Sequence, residues 1–353
     1  MLTHGGDRFG FAAQYGCEPL DFSVNVNPLG LPAGIPDALL RAVDRAGEYP
    51  DPLSRRLRAA IAAHEGLPME QIVCGNGAAD LIWRVVLAQK PKQALVPAPT
   101  FSEYEAALRF AGCRITHHLL HKEQEFRLQP DLLDAITEQT DILFLCNPNN
   151  PTGLTTEPSL LLQILERCRA CGTLLVVDEC FLGFLPSSAQ LSMQPQLAAF
   201  PNLVILKAFT KLYGMAGLQL GYCLCSDTGL LARIREAGPC WPISVAAEEA
   251  GIAALQDTAF TAKTLAWLPP ERERFASALT RLGLTVWPGE ANYLFVHTEI
   301  PDFPPKLAEK GILIRDCSSY IGLSDGYCRA AVLLPEQNDR LLAAIQQMRE
   351  EYP

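Results

Sequence analysis

No apolar stretch of this 353-residue chain approaches the ~20 residues that a membrane-spanning helix needs. Positive charge is in deficit: 29 Lys and Arg stand against 39 Asp and Glu, a formal net charge of −10. That argues against a nucleic-acid binder, which would usually show a basic face. The opening residues, MLTHGGDRFGF, lack the basic-then-apolar pattern of a secretory signal, so a cytoplasmic location is expected. Cysteine is plentiful, at twelve residues, but no second pair partners the Cys-x-x-Cys at Cys168 and Cys171, which sits inside a helical pattern. The cysteines are scattered, several within apolar runs, and read as small core residues in a chain large enough to do without disulfides. His117, His118 and His121 have no carboxylate or cysteine partner at metal spacing, so no metal site is expected. With 49% hydrophobic and 19% charged residues, the composition is that of an ordinary globular protein long enough for two domains.

The most informative stretch is LVILKAFTKLYGMAGLQLGY, from Leu203 to Tyr222. A β-rich apolar run ends in a small polar turn that carries Lys211, with Gly214, Gly217 and Gly221 behind it. Lysine is seldom buried without a partner. A buried amine loses its proton easily, and the neutral form attacks carbonyls. A lysine on a surface turn is the other reading of the same residues. Two further runs share the pattern: LFLCNPNNPTG at 143–153 carries Asn150 in its polar end, and LLVVDECFLGF at 174–184 carries Asp178 just past its apolar run. Apolar runs that end in polar residues are typical of buried parallel strands with their chemistry at the carboxyl end.

The order Asn-Pro-x-Gly, Asp-Glu, Thr-Lys resembles the fold type I enzymes that use pyridoxal 5′-phosphate (PLP), the aspartate aminotransferase superfamily. The resemblance implies that Lys211 holds PLP as a Schiff base, Asp178 pairs with the pyridine nitrogen and Asn150 bonds the 3′ oxygen. A carboxylate beside the ring nitrogen keeps it protonated, which makes the ring a better electron sink. The strand–glycine–helix turn GNGAAD at 75–80 suits a phosphate, though such turns also serve only to change direction. The resemblance gives the cofactor phosphate to Gly77, Ala78 and Ala79, with the Thr210 hydroxyl. It places Phe101 on the ring face, with Tyr104 behind it, and sends Tyr49 across a dimer interface to the neighbour's PLP phosphate.

Strands and helices alternate without a repeat across about 71–237, which argues α/β with a mostly parallel sheet. Three parts are expected: an N-terminal arm over 1–47 that joins the small domain, a large PLP-binding α/β domain over 48–237, and a small α+β domain over 238–353. The arm reads as extended with one short strand. In the small domain, helices are expected at Ser244–Leu255 and Pro270–Leu282, and a strand at Ile312–Arg315.

Five places narrow the family: HGG at 4–6, DFSVNVNPLG at 21–30, YPD at 49–51, DECFLGF at 178–184 and ILIRDCSSYIGLSDGYCRAAV at 312–332. Phe181 stands where histidinol-phosphate aminotransferases usually carry tyrosine. Together these resemble the L-threonine-O-3-phosphate decarboxylases of cobalamin nucleotide-loop synthesis. The resemblance implies that Arg329 pairs with the substrate α-carboxylate and Arg315 with its phosphate, where the planar guanidinium fork suits both groups. His4, Gly5 and Gly6 add to the phosphate site, and Asn27 and Tyr320 line it. Either arginine read without the family is a surface ion pair. The partners implied are a small amino acid phosphate and a second copy of the chain in a homodimer with shared sites. Decarboxylation of L-serine O-phosphate, a histidinol-phosphate-type aminotransferase and a non-catalytic binding protein are the alternatives.

One position departs from the family. Eight residues after the Schiff-base lysine the relatives usually carry an arginine that clamps the cofactor phosphate, and here it is Gln219. Weaker cofactor retention is expected, unless a cation such as Lys207 compensates.

Overall fold

The computed structural model describes residues 5–351. Its centre is a seven-stranded sheet, in spatial order Ile72–Gly75, Gly221–Leu224, Leu203–Ala208, Leu174–Asp178, Ile142–Cys146, Gln93–Ala98 and Arg114–Leu119. Only Gly221–Leu224 runs antiparallel to its neighbours. Every residue of Ile142–Cys146 and Leu174–Asp178 is buried, because helices cover both faces.

Strand parity decides which helix each side chain meets. Phe144, Val176 and Val204 face Leu81, Val85, Tyr104 and Leu108 on the helices Gly77–Gln89 and Ser102–Phe110. Leu143, Leu145, Leu175, Val177 and Ile205 face Leu57, Ile61, Leu161 and Ile164 on Arg55–Glu65 and Pro158–Cys171. Asp178 shares the parity of Val176, so it points toward the helix that carries Tyr104.

A four-stranded antiparallel sheet follows, in the order Arg315–Asp316, Tyr327–Ala331, Tyr293–His297, Thr285–Val286. A two-stranded parallel sheet pairs Leu20–Asp21 with Ile312–Leu313 and ties the N-terminal segment to the C-terminal part of the chain. One apolar core runs from Leu20 and Phe22 through Ile205 on the large sheet to Met348 of the closing helix Pro335–Glu351. No described helix is long and apolar enough to cross a membrane.

Several elements differ from the sequence reading. The arm is not simply extended: Arg8–Tyr15 is a helix, started by Asp7, whose carboxylate accepts from the Gly10 amide at 2.9 Å, and ended by Gly16 at φ 71°. The helix expected to begin at Pro270 runs from Thr258 to Arg281, straight through Pro269 and Pro270. Proline suits a first helical turn but removes a backbone donor further in. Here Phe260, Leu268, Phe275 and Leu279 stay buried on both sides of the proline pair, so packing carries the helix across it. The strand expected over Ile312–Arg315 splits at Ile314: its first half pairs with the arm and its second half with Tyr327–Ala331.

Candidate active site

The carboxyl ends of the parallel strands meet at a cavity of about 480 Å³, the crevice where open α/β sheets place their ligands. Leu203–Ala208 ends there and runs into one helical turn, Phe209–Leu212, which sets Thr210 and Lys211 on the cavity wall. Burial lowers the Lys211 pKa, and the positive charge of Arg329 lowers it further. The amine is thereby biased toward its neutral, nucleophilic form.

Asp178 ends the neighbouring strand and is 4% exposed. Its Oδ1 accepts from the Cys180 amide at 2.9 Å, and its Oδ2 accepts from the Tyr104 hydroxyl at 2.6 Å. Burial, with the negative charge of Asp178 beside it, pushes the Tyr104 phenol well above its usual pKa, so it serves as a donor. The Tyr104 ring stacks on Phe144 at 4.9 Å, and Phe101 stands edge-on to it at 5.6 Å while lining the cavity. The two carboxylate bonds and the stack fix the aspartate at the cavity floor.

Asn150 follows the strand Ile142–Cys146, and its Oδ1 accepts from Arg329 Nη1 at 2.5 Å. Arg329 Nη2 donates to the Ser23 carbonyl at 2.7 Å. This arginine reaches in from Tyr327–Ala331 and Arg315 from Arg315–Asp316, so the small sheet supplies both guanidinium groups. Arg315 lies over the Tyr320 ring at 5.3 Å. Opposite them the helix Gly77–Gln89 begins, with Ala78 and Ala79 on the wall and Gly77 at φ 80°. The strand beneath passes so close that a Cβ on Gly221 would lie 2.8 Å from the Ala78 nitrogen.

The cavity thus gathers Lys211, Asp178, Asn150, Ala78, Ala79, Phe101, Thr210, Gly5, Arg315, Tyr320 and Arg329. Gly77 borders it at the helix start. Gly6 lies one residue away, its amide donating to Ser23 Oγ at 2.8 Å. His4 lies outside the described residues. Tyr49 is outside this chain's cavity: it is 80% exposed and stacks on Trp241 at 4.6 Å.

Two expectations are corrected. Asn27 does not line the cavity. Its Nδ2 donates to the Leu212 carbonyl and Thr264 Oγ1, both at 2.8 Å, and its Oδ1 accepts from the Leu29 amide at 3.1 Å. It pins the Lys211 turn to the long helix, and Asn25 lines the cavity in its place. The segment is irregular here, so strand alternation does not decide which asparagine faces inward. Lys207 is no substitute cation either. It points into a separate cavity behind the Lys211 turn, 2.8 Å from Glu65 Oε2 and 4.0 Å from Glu179 Oε2.

Ser23, Val24, Glu103, Cys146, Cys180, Phe181, Ala208, Ala216 and Gln219 complete the wall. Glu103 accepts from Trp83 Nε1 at 3.0 Å. The sequence signal for the first two was the DFSVNVNP string, which marks the segment without saying which of its residues turn inward.

The donor set suits an aromatic aldehyde phosphate. The amine of Lys211 meets an aldehyde, the carboxylate of Asp178 a protonated ring nitrogen, the face of Phe101 a planar ring, and the free amides of a helix start a phosphate.

A family model for aminotransferase class I and II matches residues 18–345. Threonine-phosphate decarboxylase of Salmonella typhimurium is 40% identical, over 98% of this chain and 96% of its own length. The adenosylcobalamin biosynthesis bifunctional protein CobDQ of Leptospira interrogans is 29% identical over 98% of this chain, which spans 41% of that longer protein. The solved structure of histidinol-phosphate aminotransferase from Clostridium acetobutylicum superposes with a TM-score of 0.87 at 27% identity, covering 94% of this chain and 99% of that one. The chain belongs to the aminotransferase class I and II family, with the PLP fold type I architecture.

Proposed function

We propose that this chain is a PLP-dependent decarboxylase that converts L-threonine O-3-phosphate to (R)-1-amino-2-propanol O-2-phosphate for cobalamin nucleotide-loop synthesis. The observation that carries the reading is the pair of guanidinium groups, Arg315 and Arg329, facing the same cavity as Lys211. A substrate with a carboxylate and a phosphate on either side of its amine meets both. The 40% identity to the Salmonella decarboxylase and the likeness to the Leptospira cobalamin protein support it.

Lys211, Asp178, Asn150, Phe101, Thr210 and the amides of Gly77, Ala78 and Ala79 would hold PLP. When bound, the cofactor supplies the electron sink for the pair released as CO₂ departs. The protein does the rest. Arg329 grips the α-carboxylate and Arg315 the phosphate, and together they choose which bond at Cα is presented for cleavage. Lys211 would deliver the proton to Cα as the acid and regain it from solvent. One proton is taken up there for each CO₂ lost.

The active unit in this reading is a homodimer. Tyr49 is exposed beside Trp241, and in this reading it reaches the partner's PLP phosphate. The reaction is assigned to the cytoplasm, where the twelve free cysteines suit a reducing compartment.

The test is product analysis. Holoenzyme given L-threonine O-phosphate should release CO₂ and the amine phosphate. A keto acid formed with an amino donor, with no CO₂, would move the assignment to an aminotransferase. Equal turnover of L-serine O-phosphate would broaden the substrate, since one methyl discriminates by only ~1–3 kcal/mol.

A further inference from the structure

Three basic side chains among the described residues line the cavity: Lys211, Arg315 and Arg329. Lys211 is the residue that would bond the cofactor covalently. Arg315 and Arg329 arrive on the small sheet, and Arg329 is held there by Asn150 and the Ser23 carbonyl. The opposite end, at the start of the helix Gly77–Gln89, is furnished differently. Gln219 lies there: its Oε1 is 2.8 Å from where a Cβ on Gly77 would sit, and its Nε2 donates to the Ala216 carbonyl at 2.6 Å. Thr210 adds a hydroxyl on the adjoining turn.

The nearby cations are committed elsewhere. Arg84, 2% exposed, bonds Asp80 at 2.9 Å and the Arg235 carbonyl at 3.0 Å. Lys207 faces the other cavity, between Glu65 and Glu179. Asp80 itself takes up the Asn76 amide at 2.9 Å, leaving the next amides of the helix start to a ligand.

We infer that the cofactor phosphate is held in an uncharged cradle, made by the helix start at Gly77–Ala79, the Thr210 hydroxyl and the Gln219 amide, so that PLP is retained less tightly than a cationic side chain at position 219 would retain it. The inference rests on the PLP reading above. Bonds from an ionised donor to a phosphate are roughly twice as strong as neutral ones, and among the described residues of this chain the cradle offers no side-chain cation. Gln219 is exposed and already at φ 50°. A longer cationic side chain therefore has room and adds little backbone strain beyond what glutamine bears.

The experiment compares wild type with Gln219→Arg, each as apoprotein, by equilibrium dialysis and cofactor absorbance against PLP and against pyridoxal. Pyridoxal lacks the phosphate and reports every other contact. Gln219→Arg should bind PLP at least tenfold more tightly, about 1.4 kcal/mol, with pyridoxal affinity within about twofold. Gln219→Lys, a smaller change, should gain in the same direction and serves if the arginine variant fails to fold. Equal PLP affinity in wild type and cationic variants would overturn the uncharged cradle while leaving the PLP reading intact. Binding of neither PLP nor pyridoxal by any of the three would overturn the PLP reading, and the cradle with it.

Discussion

Replacing Tyr104 with phenylalanine removes one oxygen and little else. The ring keeps its stack on Phe144 at 4.9 Å and its edge contact with Phe101 at 5.6 Å, so no apolar burial is lost. What goes is the 2.6 Å bond to Asp178 Oδ2, in a carboxylate that is 4% exposed. A hydrogen bond to a charged group contributes about 1.5–3 kcal/mol, and an orphaned buried acceptor pays its desolvation cost in full. The apoprotein of Tyr104→Phe should therefore lose about 2 kcal/mol, a roughly 30-fold change in the folding constant. Urea unfolding of wild type, Tyr104→Phe, Asp178→Ala and the double variant gives the coupling energy directly. A coupling near 2 kcal/mol is expected. A coupling below about 0.5 kcal/mol, the level of independent sites, would refute the claim that this bond fixes the aspartate.

Other outcomes follow from the same geometry. Lys207→Met leaves Glu65 and Glu179 without their cation and should cost about 3 kcal/mol in thermal or urea unfolding. Burial raises the Glu179 pKa, so near and above the ordinary carboxylate range the folded state holds the proton longer than the unfolded chain. Stability from this group falls as pH rises through that window, and the variant should be less impaired at pH 5 than at pH 8. Arg329→Lys keeps the charge but not the fork to Asn150 and Ser23, and kcat/KM for L-threonine O-phosphate should fall about tenfold to 150-fold. Asn27→Ala should destabilise by about 1–3 kcal/mol while leaving the substrate KM within about twofold; a selective rise in KM would return Asn27 to the substrate site.

The parts that were legible in the sequence share one physical cause. Strands buried on both faces read as unbroken apolar runs, and the cavity residues lie at or just beyond the carboxyl ends of those runs, Asp178 directly and Asn150 and Lys211 four and five residues further on. Asn150, Asp178 and Lys211 stand out for that reason. Residues in irregular backbone carry no such periodicity, and so Asn27 is expected at the cavity where Asn25 stands. Phe101 and Arg329 look like a core aromatic and a surface ion pair until the fold brings them beside Lys211. Lys207 sits four positions before Lys211, yet strand parity turns it to the opposite face, toward Glu65, which is 142 residues distant in sequence. The helix through Pro269 and Pro270 shows packing overriding local propensity.

The most direct test of the account follows the fate of the carboxylate. Holoenzyme is mixed with carboxyl-labelled L-threonine O-phosphate, and labelled CO₂ and phosphorylated products are quantified for wild type and Lys211→Ala. The account predicts one labelled CO₂ for each amine phosphate formed by wild type, with no keto acid, and no turnover in the variant. Label retained in a keto acid, or CO₂ release that survives Lys211→Ala, would contradict it.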